Sequence, residues 1–148
     1  MRVATYNVHG CVGTDRRRSE GRIADVIAEL AADIVGLQEV NRGRQHSIEV
    51  SQAEVIAGQL GWHHCYHPAT RMGRGDQGHA VLSRFPMRLR RAARLPGKAP
   101  RYCPEDRAVI EVEVTTDEGP VFVLSTHFGL GRAERCRQAD PCVHHSAR

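Results

Sequence analysis

Two polar residues lie where predicted strands end in the first third of the chain. Asn7 falls near the end of the apolar segment 2–9, and Glu39 follows the short apolar strand at 34–37. Ligand sites of α/β sheets gather at the carboxyl ends of strands, so these side chains converge if the two strands are neighbours. A carboxylate and an amide oxygen together suit Mg²⁺, which prefers oxygen ligands. Taken singly, each residue is better explained as a turn or capping group.

A histidine and an arginine stand beside two later predicted strands. His127 follows the apolar run 121–125, and a histidine there can donate or accept a proton near neutral pH. Arg107 precedes the alternating strand at 110–114, and its planar guanidinium matches the oxygens of a phosphate group. The alternatives are a histidine that is hydrogen-bonded at a strand end and an arginine that is merely solvated.

Another group of possible metal ligands consists of His63, His64, Cys65 and His67. Structural zinc needs four convergent ligands, usually in two spaced pairs, and the sequence has no second pair at a matching distance. In a strand, His63 and Cys65 would face one side and His64 the other. A metal-storage or haem protein is therefore a remote alternative.

The elements that must position these residues begin as strand, helix, strand, helix. Apolar residues recur at helical spacing over 23–30, which predicts the first helix. Ser51 and Glu54 form a capping box, and Gly61 supplies a stop, so the second helix lies between them. The expected arrangement places these helices outside a largely β core.

The second half of the chain is predicted to be mainly strands. Residues 73–78 are glycine-rich and predict a loop, 79–83 predict a strand, and 86–107 are expected to be irregular. The strands at 110–114 and 121–125 form a hairpin around the turn 116–120. A further helix can begin within 131–138, whereas 139–148 show no periodicity.

Length and composition predict one globular domain. The chain has 148 residues, of which 41% are hydrophobic and 26% charged, so disordered, collagen-like and coiled-coil classes are excluded. There is no apolar run long enough for a membrane span or a signal peptide, and a cytoplasmic location is expected. The five cysteines form no C-x-x-C pair and are expected to be free thiols.

Basic residues concentrate between positions 84 and 107. This stretch contains only two acids, Glu105 and Asp106. Its basic members are Arg84, Arg88, Arg90, Arg91, Arg94, Lys98, Arg101 and Arg107. Such a stretch attracts DNA or an anionic lipid headgroup equally well, or is a solvated loop. Aromatic residues make up only 5% of the chain, so no platform for base stacking is evident.

Four segments together resemble the endonuclease/exonuclease/phosphatase superfamily of deoxyribonuclease-like, metal-dependent phosphoesterases. They are RVATYNVHGC at 2–11, RIADVIAELAADIVGLQEV at 22–40, GHAVLSRFP at 78–86 and VFVLSTHFGLGRAERCRQ at 121–138. The segments follow the family's order and cover almost the whole chain. The resemblance implies an α/β (α+β) fold, in which two packed mixed β-sheets form a sandwich flanked by helices.

The resemblance also implies the roles of the site residues. Glu39 corresponds to the main ligand of Mg²⁺, with Mn²⁺ as a substitute, and Asn7 beside it orders the metal or the phosphate. His127 corresponds to the histidine that contacts the scissile phosphate and assists the leaving group. Arg107 is similar to an arginine that many members have before this strand, and water is the expected nucleophile.

Two motifs of the family do not follow His127: an Asp-x-Asn motif, whose aspartate orients the water, and a closing Asp-His pair. Residues 1–138 are therefore expected to be the N-terminal part of the domain, which is then incomplete at its C-terminus. Residues 139–148 are expected to be a tail foreign to the family, such as a frameshift product. A chain of this kind should be a poor enzyme and should associate through exposed strand edges.

Two functions remain open at this stage. The first is a metal-dependent hydrolase of phosphoester bonds, acting on nucleic acid or on a phospholipid or inositol phosphate headgroup, with no obligate protein partner. The second is a fragment without catalytic competence, or a phosphate-binding module, that lacks the second-half carboxylates. If the chain is active as it stands, the further carboxylates are to be sought among Asp15, Asp76 and Glu105.

Overall fold

The computed structural model describes residues 1–43, 50–97 and 106–143, which form seven strands and three helices. The strands are β1 (Val3–Asn7), β2 (Ile34–Arg42), β3 (His63–Met72), β4 (Gly75–Ser83), β5 (Met87–Arg94), β6 (Ala108–Thr116) and β7 (Gly119–Thr126). The helices are α1 (Glu20–Glu29), α2 (Gln52–Leu60) and α3 (Arg132–Val143), and a short 3₁₀ turn covers His9–Cys11. One sheet has the strand order β1-β2-β4-β3, and the other has the order β5-β6-β7.

The alternation of side chains along β2 and β4 creates two separate cores. Val35 and Leu37 of β2 point toward α1 and α2 and pack with them, whereas Ile34 points toward the second sheet. In β4, Leu82 joins the helix-side core and Val81 joins the core between the sheets. Successive residues of a strand point to opposite faces, so a sheet covered on both sides is apolar on both. The predicted two-sheet sandwich flanked by helices is confirmed.

The first two helices have the caps that the sequence predicts or permits. Ser51 accepts a hydrogen bond from the backbone N–H of Glu54, and α2 ends at Gly61 in the left-handed conformation with φ 67°. At α1, Ser19 accepts from the backbone N–H of Arg22. Each cap satisfies a backbone group that the helix end leaves unpaired.

The strand pairing explains where β1 ends relative to its neighbours. β1 runs parallel to β2, and the last pair in their register is Asn7 with Gln38. β4 is antiparallel to both β2 and β3, so the first sheet is mixed. The second sheet is antiparallel in all its described strands, and the hairpin of β6 and β7 is the one predicted from the sequence.

Two predictions about irregular segments are wrong. Residues 73–78 are not a loop, because β4 begins at Gly75 and pairs at once with Met72, which confines the turn to two residues. Within 86–107, the segment 87–94 forms β5 at the edge of the second sheet, while 98–105 lie outside the described residues. Apolar and charged residues alternate only over Met87–Arg90, and a register shift between Leu89 and Arg91 breaks the pattern, so the sequence gives a weak strand signal here.

The remaining predictions concern the C-terminal helix, the cysteines and membrane spans. α3 continues past residue 138 to Val143 and contains Pro141. Four cysteines are free thiols (Cys11, Cys65, Cys136 and Cys142), and Cys103 lies outside the described residues. Of the helices in the described ranges, none is long and apolar enough to cross a membrane.

Candidate functional site

The structure brings Asn7 and Glu39 together at one end of the first sheet. The Asn7 amide nitrogen Nδ2 donates a hydrogen bond to Glu39 Oε1 at 2.8 Å. This contact follows from the parallel register of β1 and β2, which places Asn7 opposite Gln38, the residue before Glu39. The two oxygen-bearing side chains expected to meet at the strand ends are therefore neighbours.

Glu39 does not follow the end of its strand, as the sequence suggested, but lies inside β2 at a β-bulge. The pairing of β2 with β4 shifts by one residue between Leu37 and Val40 and then continues to Arg42. Glu39 itself has φ 57°, which is unusual for a residue with a side chain. Bulges redirect a side chain out of the strict alternation of a strand, and backbone strain of this kind concentrates at functional sites.

Three polar neighbours surround the Glu39 carboxylate. Besides Asn7, His9 Nδ1 lies 3.0 Å from Oε2, and His127 Nδ1 lies 3.9 Å from Oε1. Burial alone would raise the pKa of Glu39, but the hydrogen bonds from Asn7 and His9 and the charges of the two histidines bring it below its ordinary value. The carboxylate is thus ionised near neutral pH and can attract a cation.

His9 was not predicted from the sequence as a residue of this site. It lies in the 3₁₀ turn after β1, where its backbone N–H donates to Asn7 Oδ1 at 3.0 Å. Its ring is 81% exposed although it contacts Glu39, whose side chain is 19% exposed. The sequence signal that could have identified His9 is its position two residues after Asn7, at the end of the same strand.

Arg107 and His127 meet at the same site from the second sheet. Arg107 immediately precedes β6 and His127 immediately follows β7, and the antiparallel pairing of Val109 with Thr126 places these two strand ends side by side. Arg107 Nη1 donates to His127 Nδ1 at 3.3 Å. Because a guanidinium has no acceptor, this contact places the proton of the neutral imidazole on Nε2.

A second histidine, also not predicted from the sequence, lies next to this pair. His79 of β4 is 3% exposed, and its ring meets that of His127 edge to face at a centroid distance of 6.4 Å. Burial, and then the charges of His127 and Arg107, lower the pKa of His79 from 6.5 to about 4. His79 and Val81 are two residues apart on β4, so both point between the two sheets. This spacing is the sequence signal that could have placed His79 near the site.

These residues surround a cavity of about 10 Å³, which has room for one water-sized atom. The lining residues are Glu39, Ala69, Thr70, Gln77, Gly78, His79, Asp106, Arg107 and His127. Asp106 is engaged by Arg94, whose Nη1 donates to its carboxylate at 3.1 Å. Glu39 and His127 therefore come from different sheets and reach the same small cavity.

The donor set fits a hydrated divalent cation. Across the described ranges, no three His, Cys, Asp or Glu side chains are grouped to enclose a metal ion, and the histidines near His64 lie along β3. Mg²⁺ commonly uses one or two carboxylates and completes its coordination with water and substrate oxygens. Glu39, with the Asn7 amide beside it, meets that requirement, whereas a closed zinc cage needs more ligands.

Asp15 and Asp76, two of the other carboxylates predicted as candidates, are paired with arginines elsewhere in the structure. Asp15 pairs with Arg22 at 2.8 Å, and Asp76 pairs with Arg42 at 2.9 Å. Neither lines the cavity. Glu105 lies outside the described residues.

The basic stretch is partly neutralised within the protein. Arg88 and Arg90 lie 2.9 Å and 3.4 Å from the Glu113 carboxylate, and Arg94 pairs with Asp106. Arg84 lies 3.8 Å from Asp33. Lys98 and Arg101 lie outside the described residues. The described part of the stretch thus carries less unbalanced charge than its sequence suggests.

Comparisons with known proteins identify related sequences and structures. The model of the Endonuclease/Exonuclease/phosphatase family matches residues 4–148. None of the curated proteins compared with the chain matches it. Among solved structures, an endonuclease/exonuclease/phosphatase from Beutenbergia cavernae DSM 12333 is 25% identical, with a TM-score of 0.77. The match covers 97% of this chain and 43% of that protein's chain.

Two other solved structures show the same fold. A family protein from Leptotrichia buccalis C-1013-b is 17% identical, with a TM-score of 0.73, and the match covers all of this chain and 64% of that one. The human Nocturnin catalytic domain with bound sulfate anion is 16% identical, with a TM-score of 0.67, and the match covers 99% and 58%. The chain therefore spans less than two thirds of each of these structures.

Proposed function

Because the chain belongs to the endonuclease/exonuclease/phosphatase family, we propose that its site binds a phosphoester group and supports metal-dependent hydrolysis of the ester bond. The observation that carries this proposal is that Glu39, Arg107 and His127 line one cavity, with Asn7 hydrogen-bonded to Glu39. Asn7 and Glu39 come from the first sheet, and Arg107 and His127 come from the second. The pairs combine a ligand set for a cation with a donor set for an anion.

In this proposal, Glu39 and Asn7 hold Mg²⁺, or Mn²⁺ in its place. When bound there, the ion supplies positive charge that stabilises the charge developing on the phosphoryl group. The low pKa of Glu39 supports the role, because the ligand must be ionised to bind the ion. His9, which contacts the same carboxylate and is mostly exposed, has room to move when a cation competes for it.

The chain's own cation and imidazole act on the phosphoester. Arg107 donates hydrogen bonds to phosphoryl oxygens, and its burial holds the guanidinium in place. His127 protonates or stabilises the leaving oxygen, which is the task of a general acid. Because Arg107 donates to Nδ1, the neutral ring carries its proton on Nε2, and Nε2 is the atom that would serve the leaving oxygen.

A second candidate function is phosphate binding without hydrolysis. Among the described residues that line the cavity, Glu39 and Asp106 are the ones that carry carboxylates. Glu39 is the proposed metal ligand, and Asp106 is paired with Arg94, so neither is placed to activate water. This observation favours a binding module if no further group contributes. The expectation that residues 139–148 are foreign to the family stays a prediction in either case.

The substrate proposed for the site is a phosphodiester of nucleic acid or of a phospholipid or inositol phosphate headgroup. The test measures hydrolysis of a dinucleotide and of glycerophosphoinositol in Mg²⁺ and in Mn²⁺. Wild-type protein is compared with Glu39→Gln and with Glu113→Gln, a control whose carboxylate is similarly shielded but lies on β6 away from the cavity.

Hydrolysis that depends on the metal and is lost only in Glu39→Gln supports the hydrolase. Binding of inorganic phosphate without turnover of either diester selects the binding module instead. Absence of both turnover and phosphate binding contradicts the proposed function.

A further inference from the structure

His79 is a buried polar residue without a structural partner. Its ring is 3% exposed, and neither Nδ1 nor Nε2 has a hydrogen-bond partner among the described residues. Nearly all buried polar groups of folded proteins are hydrogen-bonded, because an unpaired one costs roughly 1–3 kcal/mol. An aromatic ring such as phenylalanine would fill the same place without this cost, so the imidazole calls for another explanation.

The position of His79 supplies one. The residue lines the cavity of about 10 Å³ that Glu39, Arg107 and His127 also reach. A cavity of this volume holds about one water-sized atom. The unpaired nitrogens of His79 therefore belong to the wall of the site, where an incoming oxygen atom can satisfy one of them.

The charges around the cavity indicate what kind of oxygen enters. Arg107 is positively charged, and His127 becomes so when it is protonated. In every protonation state, an imidazole carries at least one N–H. Of the carboxylates among the described lining residues, Asp106 is paired with Arg94, and Glu39 is the proposed ligand of the cation. Arg107 and the imidazoles therefore supply the hydrogen-bond donors for an anionic oxygen.

We propose that His79 is a phosphoryl-binding residue, whose imidazole N–H donates a hydrogen bond to the one phosphoryl oxygen that enters this cavity. The inference rests on the proposed function, and it adds a binding contact from β4 to those from Arg107, before β6, and His127, after β7. His79 and His127 then hold the same phosphoryl group by different oxygens, with Arg107 beside them. In this role, the substrate supplies the hydrogen-bond partner that the buried His79 imidazole lacks within the described structure.

The test titrates inorganic phosphate, in the presence of Mg²⁺, into wild-type protein, His79→Phe and His67→Phe. His67 is a matched control, because it is the half-buried cross-strand neighbour of His79 on β3 but lies outside the cavity lining. We expect His79→Phe to weaken phosphate binding about ten- to hundredfold, the effect of losing one hydrogen bond to a charged group. His67→Phe should bind as the wild type does.

A second measurement on the wild-type protein does not depend on the variant folding. Imidazole nitrogen NMR should show the His79 and His127 resonances moving together as phosphate is added. A shift of His127 alone, or equal affinities in wild type and His79→Phe, overturns the role of His79 and leaves the proposed function standing. If neither resonance moves and no binding is seen, both the inference and the proposed phosphate site fail.

Two further ligands identify the source of the phosphoryl group. A dinucleotide and glycerophosphoinositol are titrated while the His79 resonance is followed. The ligand that moves it at the lower concentration identifies nucleic acid or lipid headgroup as the preferred source. A response to inorganic phosphate that neither diester reproduces would overturn the contact with a phosphodiester.

Discussion

Replacing His79 by phenylalanine should remove a specific acid sensitivity from the protein's stability. Burial, reinforced by the charges of His127 and Arg107, lowers the pKa of His79 from 6.5 to about 4. Between these two pH values, the unfolded chain binds a proton at His79 that the folded protein does not accept. Stability therefore falls as the pH decreases from about 6.5 to about 4.

The magnitude follows from the two pKa values. Each pKa unit corresponds to 1.36 kcal/mol, so the full difference is worth roughly 3 kcal/mol. Between pH 7 and pH 4.5, most of this effect, about 2 kcal/mol, should be lost from the free energy of unfolding. That is a large share of the 5–15 kcal/mol typical of a small domain.

The assay is urea unfolding of wild-type protein and His79→Phe at pH 7 and pH 4.5. Other groups whose pKa is lowered on folding, including Glu20 and Glu39, titrate in both proteins and cancel in the comparison. The wild type should lose about 2 kcal/mol more than the variant over this interval. Equal losses would refute the reasoning, because they would mean that His79 takes up its proton equally in the folded and unfolded states.

Three other changes test the packing, the catalytic role and the sheet edge. Gly78→Ala should destabilise the protein by several kcal/mol in thermal unfolding, because the added Cβ would collide with the backbone of His67. The control Gly58→Ala, on the open face of α2, should stabilise it by about 1 kcal/mol, and equal effects would contradict the packing described for β3 and β4. His127→Ala, in a form that has the length of the solved relatives, should lower phosphodiester turnover about a hundredfold, and unchanged turnover would remove His127 from the reaction. Phe122 is 59% exposed on the edge strand β7, so Phe122→Lys should reduce the concentration-dependent association of the protein, measured by light scattering. Undiminished association would show that the molecules do not associate through this edge.

The sequence predicted those parts of the fold that depend on local signals. The Ser51 cap and the Gly61 stop define α2 within one residue, because both act within a single helical turn. The hairpin of β6 and β7 was visible as alternation around a turn. β5 was not predicted, because its alternation lasts only four residues before a register shift, and the rest of the strand is defined by its pairing with β6.

The site was predicted less completely, because it too depends on pairing between segments that are distant in the sequence. The convergence of Asn7 and Glu39 could be expected from two strand ends, but the bulge that directs Glu39 depends on the register between β2 and β4. His79 was overlooked because it stands inside a strand, where a histidine gives no signal without knowledge of what packs above it. Contacts between sheets are not visible in a pattern along one strand.

The most direct test of the site is a calorimetric titration with Mg²⁺ and with Mn²⁺. Wild-type protein is compared with Glu39→Gln and with Glu113→Gln, whose carboxylates have side-chain exposures of 19% and 16% in the wild type. The low pKa of Glu39 and its position beside Asn7 and the cavity predict a single divalent site that Glu39→Gln abolishes and Glu113→Gln leaves intact. Equal metal affinities in all three proteins, with folding unchanged, would contradict the assignment of Glu39 and with it the metal-dependent chemistry proposed for this site.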